Sequence, residues 1–309
     1  MSNRDARFDP TPYNPDERPY FGSFDPASIE TPAYVVDRAA IEYNLRILRE
    51  TAEDAGATLL AALKAFAMPE VFDLFRTYLD GACVSGVYEA RLARHEIGRG
   101  ANGFSVHAFA PAYSCGDLTD LSSLCDHIVF NSLRQLHHHD RRGDVRYGIR
   151  INPECSLGTT ALYDPCAPYS RLGTTRDDFE RHVEEHASLT DALQRISGVH
   201  FHALCEHDSH ALASVIESVD ATFGDIIERP EIRWLNIGGG HHITKPTYDR
   251  AHVVALIHAL KKRYDVGVVL EPGEAVAIHT GVLVTSVLDI MHNETDIAIL
   301  DTSATAHMP

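Results

Sequence analysis

Lys64, the first lysine of the chain, stands inside the apolar stretch TLLAALKAFAM, Thr58 to Met68. Burial disfavours the ammonium form, so a partly desolvated lysine here could form a Schiff base with an aldehyde. Taken alone, the plainer reading is stronger: Lys64 ends a short core strand and snorkels its ammonium group to water. Three other stretches carry comparable chemistry. In GVHFHALCEHD, His202 and Glu206 close an apolar run, although a single histidine there is more often a satisfied core or rim residue than a catalyst. In RWLNIGGGHH, Gly238, Gly239 and Gly240 follow a strand-like run. Three glycines let the backbone turn tightly and aim N–H groups at an anion, but the same triplet also makes an ordinary turn. It is neither GxGxxG nor a Walker loop, so nucleotide binding is not indicated. In VGVVLEPGEAV, Glu271 ends a strongly apolar run, where a carboxylate can hold a ring nitrogen protonated, or simply cap a helix or pair with a cation.

Two histidine clusters raise the question of a metal. Adjacent side chains on a helix point in different directions, so HHHD, His137 to Asp140, reads as a solvated polar face. His241 and His242 lie beside the glycine triplet and could line a site. No metal site is expected from either.

The elements that must position these groups alternate. Strand-like runs fall near 58–63, 82–85, 104–108, 127–130, 146–151, 198–203, 233–237 and 267–271, with helical patterns between most of them. PEVFDLFRTYL and RAHVVALIHALKKR each carry an apolar stripe at helical spacing. This α/β pattern fits a (β/α)8 barrel better than a doubly wound open sheet, and in such a barrel the active site gathers at the C-terminal ends of the strands. Upstream, TPAYVV reads as a strand, Asp37 as the cap of the helix that follows, and Gly56 as its stop. Residues 1–30, rich in Pro, Asp and Tyr, read as an arm without its own core; 31–280 as the barrel; and 281–309, rich in Val, Ile and Thr, as the beginning of an incomplete all-β domain. The stretch 149–175 has no clear period, and long loops in compact domains tend to be functional.

With 309 residues, 44% hydrophobic and 23% charged, the chain can bury a sizeable core. A net charge of −17 argues against nucleic-acid binding and suits cationic ligands. No apolar run approaches a membrane span, and MSNRDARFDP lacks the apolar centre of a signal peptide. The expected setting is cytoplasmic. Six scattered cysteines without a CxxC pair read as reduced thiols.

The order of the motifs is more specific than any one of them: lysine after the first barrel strand, HFH after the sixth, IGGG after the seventh, EPG after the eighth. That order resembles the alanine-racemase-like fold of pyridoxal-phosphate decarboxylases. ALKAF, HFHALCEH, NIGGGHHITK, LEPGEA and DTSATAHMP look most like the carboxynorspermidine/carboxyspermidine decarboxylase family, over roughly 31 to 309. The resemblance implies pyridoxal 5'-phosphate as cofactor and Lys64 as the Schiff-base lysine. It also implies that His202 stacks on the cofactor ring, that Gly238, Gly239 and Gly240 cradle its phosphate, and that Glu271 keeps the pyridine nitrogen protonated. Arg150, in YGIRINPE, matches an arginine near the phenolic oxygen. Glu206 and Glu271 would draw the amines of a carboxylated polyamine. YSRLG, around Arg171, matches a family loop of no derivable role. The family suggests a homodimer with shared sites.

Two departures from ornithine decarboxylases point away from ornithine as substrate: Glu274 stands where they carry an arginine after EPG, and Cys205 lies near the position of their serine. The resemblance also implies further β-domain residues beyond Pro309, so an inactive or regulator-like homologue, of the antizyme-inhibitor kind, is the alternative. Diaminopimelate decarboxylase or an amino-acid racemase would share the cofactor.

Overall fold

The computed structural model describes residues 25–98, 103–139, 144–158, 161, 163–185 and 193–308. Most of the expected arm, Asp140 of HHHD and Pro309 lie outside them. The chain divides into two compact units: Glu42–Val276, and the described residues up to Ile41 together with those from Ala277 onward.

The larger unit is a closed barrel of eight parallel strands. With β1 reserved for Ala33–Val36, the barrel strands are β2 (Thr58–Ala62), β3 (Gly81–Val84), β4 (Ser105–Phe109), β5 (His127–Phe130), β6 (Arg146–Arg150), β7 (Ile196–His200), β8 (Trp234–Asn236) and β9 (Gly267–Leu270). All eight fall on the expected runs. They pair in chain order, and β9 closes on β2 with Val269 opposite Thr58 and Leu270 opposite Leu59. Strands such as HIVF of β5 are buried throughout, as parallel strands covered on both faces must be. Helices fill most of the crossovers. The longest of these, Ser209–Ile227, starts on Asp208, whose carboxylate accepts from the N–H groups of His210 and Ala211 at 3.0 and 2.9 Å. It buries Leu212, Val215, Val219, Phe223 and Ile227, each contributing about 1.5–3 kcal/mol.

At the N-terminal end of the barrel the filling is bulky and polar. Trp234 occupies space that Gly148 and Gly198 leave open; a Cβ at Gly198 would sit 1.9 Å from the indole. The rings of His107 and His127 stack beside it, 3.9 Å between centroids. Neither histidine belonged to a recognisable motif.

The smaller unit brings together the two ends of the described chain. β1, placed by sequence within the barrel stretch 31–280, pairs antiparallel with β10 (Gly281–Val284), Ala33 opposite Val284. The physical reason is closure: β2 and β9 satisfy each other, so the barrel has no open edge for β1. β11 (Val287–Asn293) and β12 (Thr295–Leu300) form a hairpin exposed at every position, Val287, Ile290, Met291 and Ile299 included. Asp37 caps the first helix as expected, accepting from Ala39 N–H at 2.9 Å and Ala40 N–H at 3.1 Å. Gly56 has φ +60° at that helix's end.

The HHHD cluster is not uniformly solvated. His137 and His138 are exposed, but His139 is buried against Phe130 and Tyr147, with Nε2 3.2 Å from the Tyr147 hydroxyl. It belongs to the core because its helix ends there and its ring fills space beside two aromatics. Among the described residues, no helix is long and apolar enough to cross a membrane, and no three metal-ligating side chains converge.

Candidate active site

The residues singled out by type lie where barrel strands end. Lys64 comes two residues after β2, Arg150 is the last residue of β6, His202 lies two beyond β7, Gly238 two beyond β8, and Glu271 directly follows β9. Lys64 and Arg150 lie within electrostatic reach of both His202 and Glu271.

Lys64 is exposed, as the plainer reading of a strand-end lysine has it, and not desolvated. The strand stops at Ala62, and the following turn, closed by Ala65 N–H donating to Ala62 C=O at 3.0 Å, lifts Lys64 into the open mouth of the barrel.

Glu271 is the buried anion of the site. Asn236 Nδ2 donates to its Oε1 at 2.6 Å, and Asn236 Oδ1 accepts from Gly238 N–H at 2.9 Å. Burial raises the Glu271 pKa; the Asn236 bond, Lys64, the Cys83 thiol and Arg150 act in the opposite direction. The glycine triplet packs closely against the backbone at the ends of β7 and β9. A Cβ on Gly239 would lie 2.0 Å from the Glu271 carbonyl oxygen and one on Gly240 1.9 Å from that of Leu204; Gly238 and Gly240 have φ of +69° and +80°. The glycines are therefore needed for close approach as well as for turning. In this structure Gly238 N–H donates to Asn236 Oδ1 and Gly239 N–H to His202 Nδ1, at 3.1 Å. Gly240 N–H lies outside those two bonds.

The Gly239 bond also defines His202. An imidazole nitrogen that accepts a backbone N–H carries a lone pair, so the proton of the neutral ring sits on Nε2. Burial, then Lys64 and Arg150, holds the pKa well below the ordinary histidine value. Arg150 is buried, donates Nη2–H to His202 C=O at 3.0 Å, lies over the Phe109 ring at 4.4 Å and leaves Nε without a partner.

The rim is more polar. Glu206 is exposed with φ +60° and lines a cleft of about 500 Å³ with His207, Asp208, His242, Lys245, Thr247 and Tyr248. A non-glycine residue in that conformation is uncommon. His241 and His242 are both buried: His241 Nδ1 and the Tyr248 hydroxyl are hydrogen-bonded at 2.6 Å, and His242 Nε2 donates to Glu274 Oε2 at 2.9 Å. Of the two carboxylates expected to face amines, Glu206 faces solvent and Glu271 does not. Arg171 belongs to a loop tied down by Asn131, whose amide donates to Arg171 C=O at 2.9 Å and accepts from Gly173 N–H at 2.7 Å. Another cleft, of about 610 Å³, opens at the other end of the barrel beside Ser105, Asp126 and Arg146 and contains none of these groups.

Sequence reasoning passed over Asn236, Cys83 and His200, all in contact or electrostatic reach of Glu271. Asn236 and His200 were readable by position: each is the last residue of its strand, two residues before a selected position. Cys83 carried no such signal.

Fold and site together define a class. The barrel matches that of diaminopimelate decarboxylase from Helicobacter pylori, with a TM-score of 0.72 at 18% identity over 90% of this chain and 72% of that one, a likeness of fold. No protein-family model matches the chain. The chain belongs to the carboxynorspermidine/carboxyspermidine decarboxylase family. It is 42% identical over 282 residues to that enzyme of Campylobacter jejuni, covering 91% of this chain and 70% of the relative. It is 37% identical over 289 residues to carboxyaminopropylagmatine decarboxylase of Synechocystis, covering 92% and 70%. The structure of carboxynorspermidine decarboxylase from Campylobacter jejuni complexed with norspermidine matches with a TM-score of 0.77 at 39% identity, covering 91% of this chain and 70% of that one.

Proposed function

We propose that the chain is a pyridoxal-phosphate-dependent decarboxylase that converts carboxynorspermidine or carboxyspermidine to norspermidine or spermidine. The observation that carries this reading is the donor set at one barrel mouth: an exposed amine at Lys64, a neutral imidazole at His202, a buried carboxylate at Glu271 and a buried guanidinium at Arg150 with an unpartnered Nε. These groups fit an aldehyde, a flat ring face, a pyridine nitrogen and a phenolic oxygen in turn. Gly240 and its neighbours would hold the phosphate.

Bound there, pyridoxal phosphate supplies an electron sink for the electron pair left when carbon dioxide departs. The chain's own residues do the rest. Lys64 would hold the cofactor at its aldehyde carbon. Glu271, fixed by Asn236, holds a proton at the pyridine nitrogen. His202, held neutral with Nδ1 on Gly239 N–H, offers an uncharged face that does not oppose the ring's positive charge. Glu206 and its acidic neighbours on the rim would attract the distal ammonium groups of the substrate. A homodimer with shared sites belongs to the same reading.

A second substrate is supported by the Synechocystis relative, named for carboxyaminopropylagmatine. Borohydride treatment of protein loaded with pyridoxal phosphate, followed by peptide mass spectrometry, tests the cofactor site: reduction is expected on Lys64, and labelling of Lys245, Lys261 or Lys262 alone would overturn it. Carbon dioxide release from the three carboxylated amines then ranks the substrates.

A further inference from the structure

Beneath Glu271 lies a side chain that none of these roles uses. His200 ends β7, two residues before His202 and so on the same side of the extended chain, one layer deeper in the barrel. It is 2% exposed, and neither ring nitrogen has a hydrogen-bond partner. Buried polar groups are as a rule paired, and an orphan at a functional site calls for an explanation.

The Glu271 carboxylate lies beside it: His200 Nε2 is 3.7 Å from Glu271 Oε2. The other oxygen, Oε1, is already held by Asn236 at 2.6 Å. The imidazole lies edge-on to Phe109, 5.4 Å between centroids, and Arg150 covers the same Phe109 ring. Burial opposes its protonation, and so do the nearby Arg150 at the end of β6, His202 just beyond β7, Lys64 just beyond β2 and His107 in β4. A neutral imidazole has one donor and one acceptor nitrogen. Beside a carboxylate, the tautomer that places the proton on Nε2 is the favourable one, and an approach of less than about 1 Å would make a charge-assisted hydrogen bond.

We propose that His200 is a positioning residue for Glu271: a neutral, Nε2-protonated imidazole that holds Oε2 opposite the grip of Asn236 on Oε1 and so fixes the plane of the carboxylate. A neutral donor suits this place. A lysine or arginine would neutralise the carboxylate and weaken its hold on a proton, whereas imidazole orients it and leaves its charge available. The consequence for the pyridine nitrogen rests on the functional reading above; the contact between the two side chains does not.

The first test needs neither cofactor nor altered protein in its decisive sample. Nitrogen-15 NMR of histidine-labelled protein reports which ring nitrogen carries the proton, with the His200 signals assigned by their loss in His200→Gln. An Nε2–H tautomer that changes shift in Glu271→Gln is expected; an Nδ1–H tautomer would overturn the proposal. The second test compares His200→Gln, which keeps a donor near the Nε2 position, with His200→Met, which fills the space without one. With nitrogen-15-labelled pyridoxal phosphate bound, the ring nitrogen is expected to stay protonated in His200→Gln and to shift toward the unprotonated position in His200→Met, with cofactor Kd rising about tenfold in the latter. Equal behaviour of the two variants would overturn the role. If His200→Met does not fold, the tautomer in unaltered protein decides. If unaltered protein fails to bind pyridoxal phosphate, the functional reading falls and the tautomer still decides the contact.

Discussion

Asn236 joins the two halves of the site: its Nδ2 donates to Glu271 Oε1 at 2.6 Å while its Oδ1 accepts from Gly238 N–H at 2.9 Å. The residue is 1% exposed, so neither partner can turn to water when the amide is removed. Asn236→Ala is expected to destabilise the protein by about 2–4 kcal/mol, since a buried carboxylate oxygen and a backbone N–H lose their partners together. Asn236→Asp should be worse, because it sets a second carboxylate against the first. Urea unfolding of the three proteins measures this, and an Asn236→Ala variant as stable as the parent would refute the bridge.

Lys64 presents the opposite case. Its side chain is exposed and follows the end of β2, so the fold does not depend on it. Lys64→Ala is expected to change stability by no more than about 0.5 kcal/mol while abolishing decarboxylation and borohydride-dependent labelling. Activity assay and thermal unfolding on the same preparation separate the two effects.

The barrel was legible because hydrophobic period and turn residues repeat in every βα unit, and each of the eight strand runs sits where the sequence places it. The site's strand-end residues were legible for the same reason. Solvation was not: whether Lys64 is buried depends on where the turn after Ala62 points, which the apolar flanks do not encode. Nor was the partnering of glycine N–H groups, since Asn236 turns back on Gly238 from two residues before it and His202 reaches Gly239 from another strand's end. Which edge β1 joins was not legible, because strand propensity does not encode it; closure of β2 on β9 removes the barrel as its partner and β1 pairs with β10.

The glycine triplet makes a graded prediction. At Gly240 an alanine meets both a φ of +80° and the Leu204 carbonyl oxygen at 1.9 Å. Gly240→Ala is expected to cost about 3 kcal/mol or more, combining overpacking with left-handed strain. Gly267, where the nearest atom to a new Cβ is 3.7 Å away, is the control, and Gly267→Ala should stay within about 1 kcal/mol of the parent. Equal losses at both positions would show that close approach is not what demands the glycines.

Glu206 tests the rim. Because its carboxylate is exposed, its attraction for a distal ammonium is screened, and Glu206→Gln is expected to raise KM by only about two- to fivefold. The effect should shrink as salt is added, and cofactor affinity should not move. A loss of cofactor binding would place Glu206 in a different role.

Acid stability follows from the stacked pair at the N-terminal end of the barrel. Burial, reinforced by Arg146, lowers His127 from 6.5 to about 4, and burial with His127 and Arg146 beside it holds His107 well below its ordinary value. The unfolded chain binds these protons near pH 6.5 and the folded chain does not, so stability is full above that value and falls with pH until His127 titrates in the fold near 4. The contribution of His127 is roughly 3 kcal/mol across that window. His127→Phe, which retains a ring beside Trp234, is expected to flatten the fall in unfolding free energy between pH 6.5 and 4 relative to the parent, with little change in that slope at higher pH. An unchanged slope would mean that His127 gains its proton without unfolding the barrel, through a path for water that the close packing of His107, His127 and Trp234 opposes.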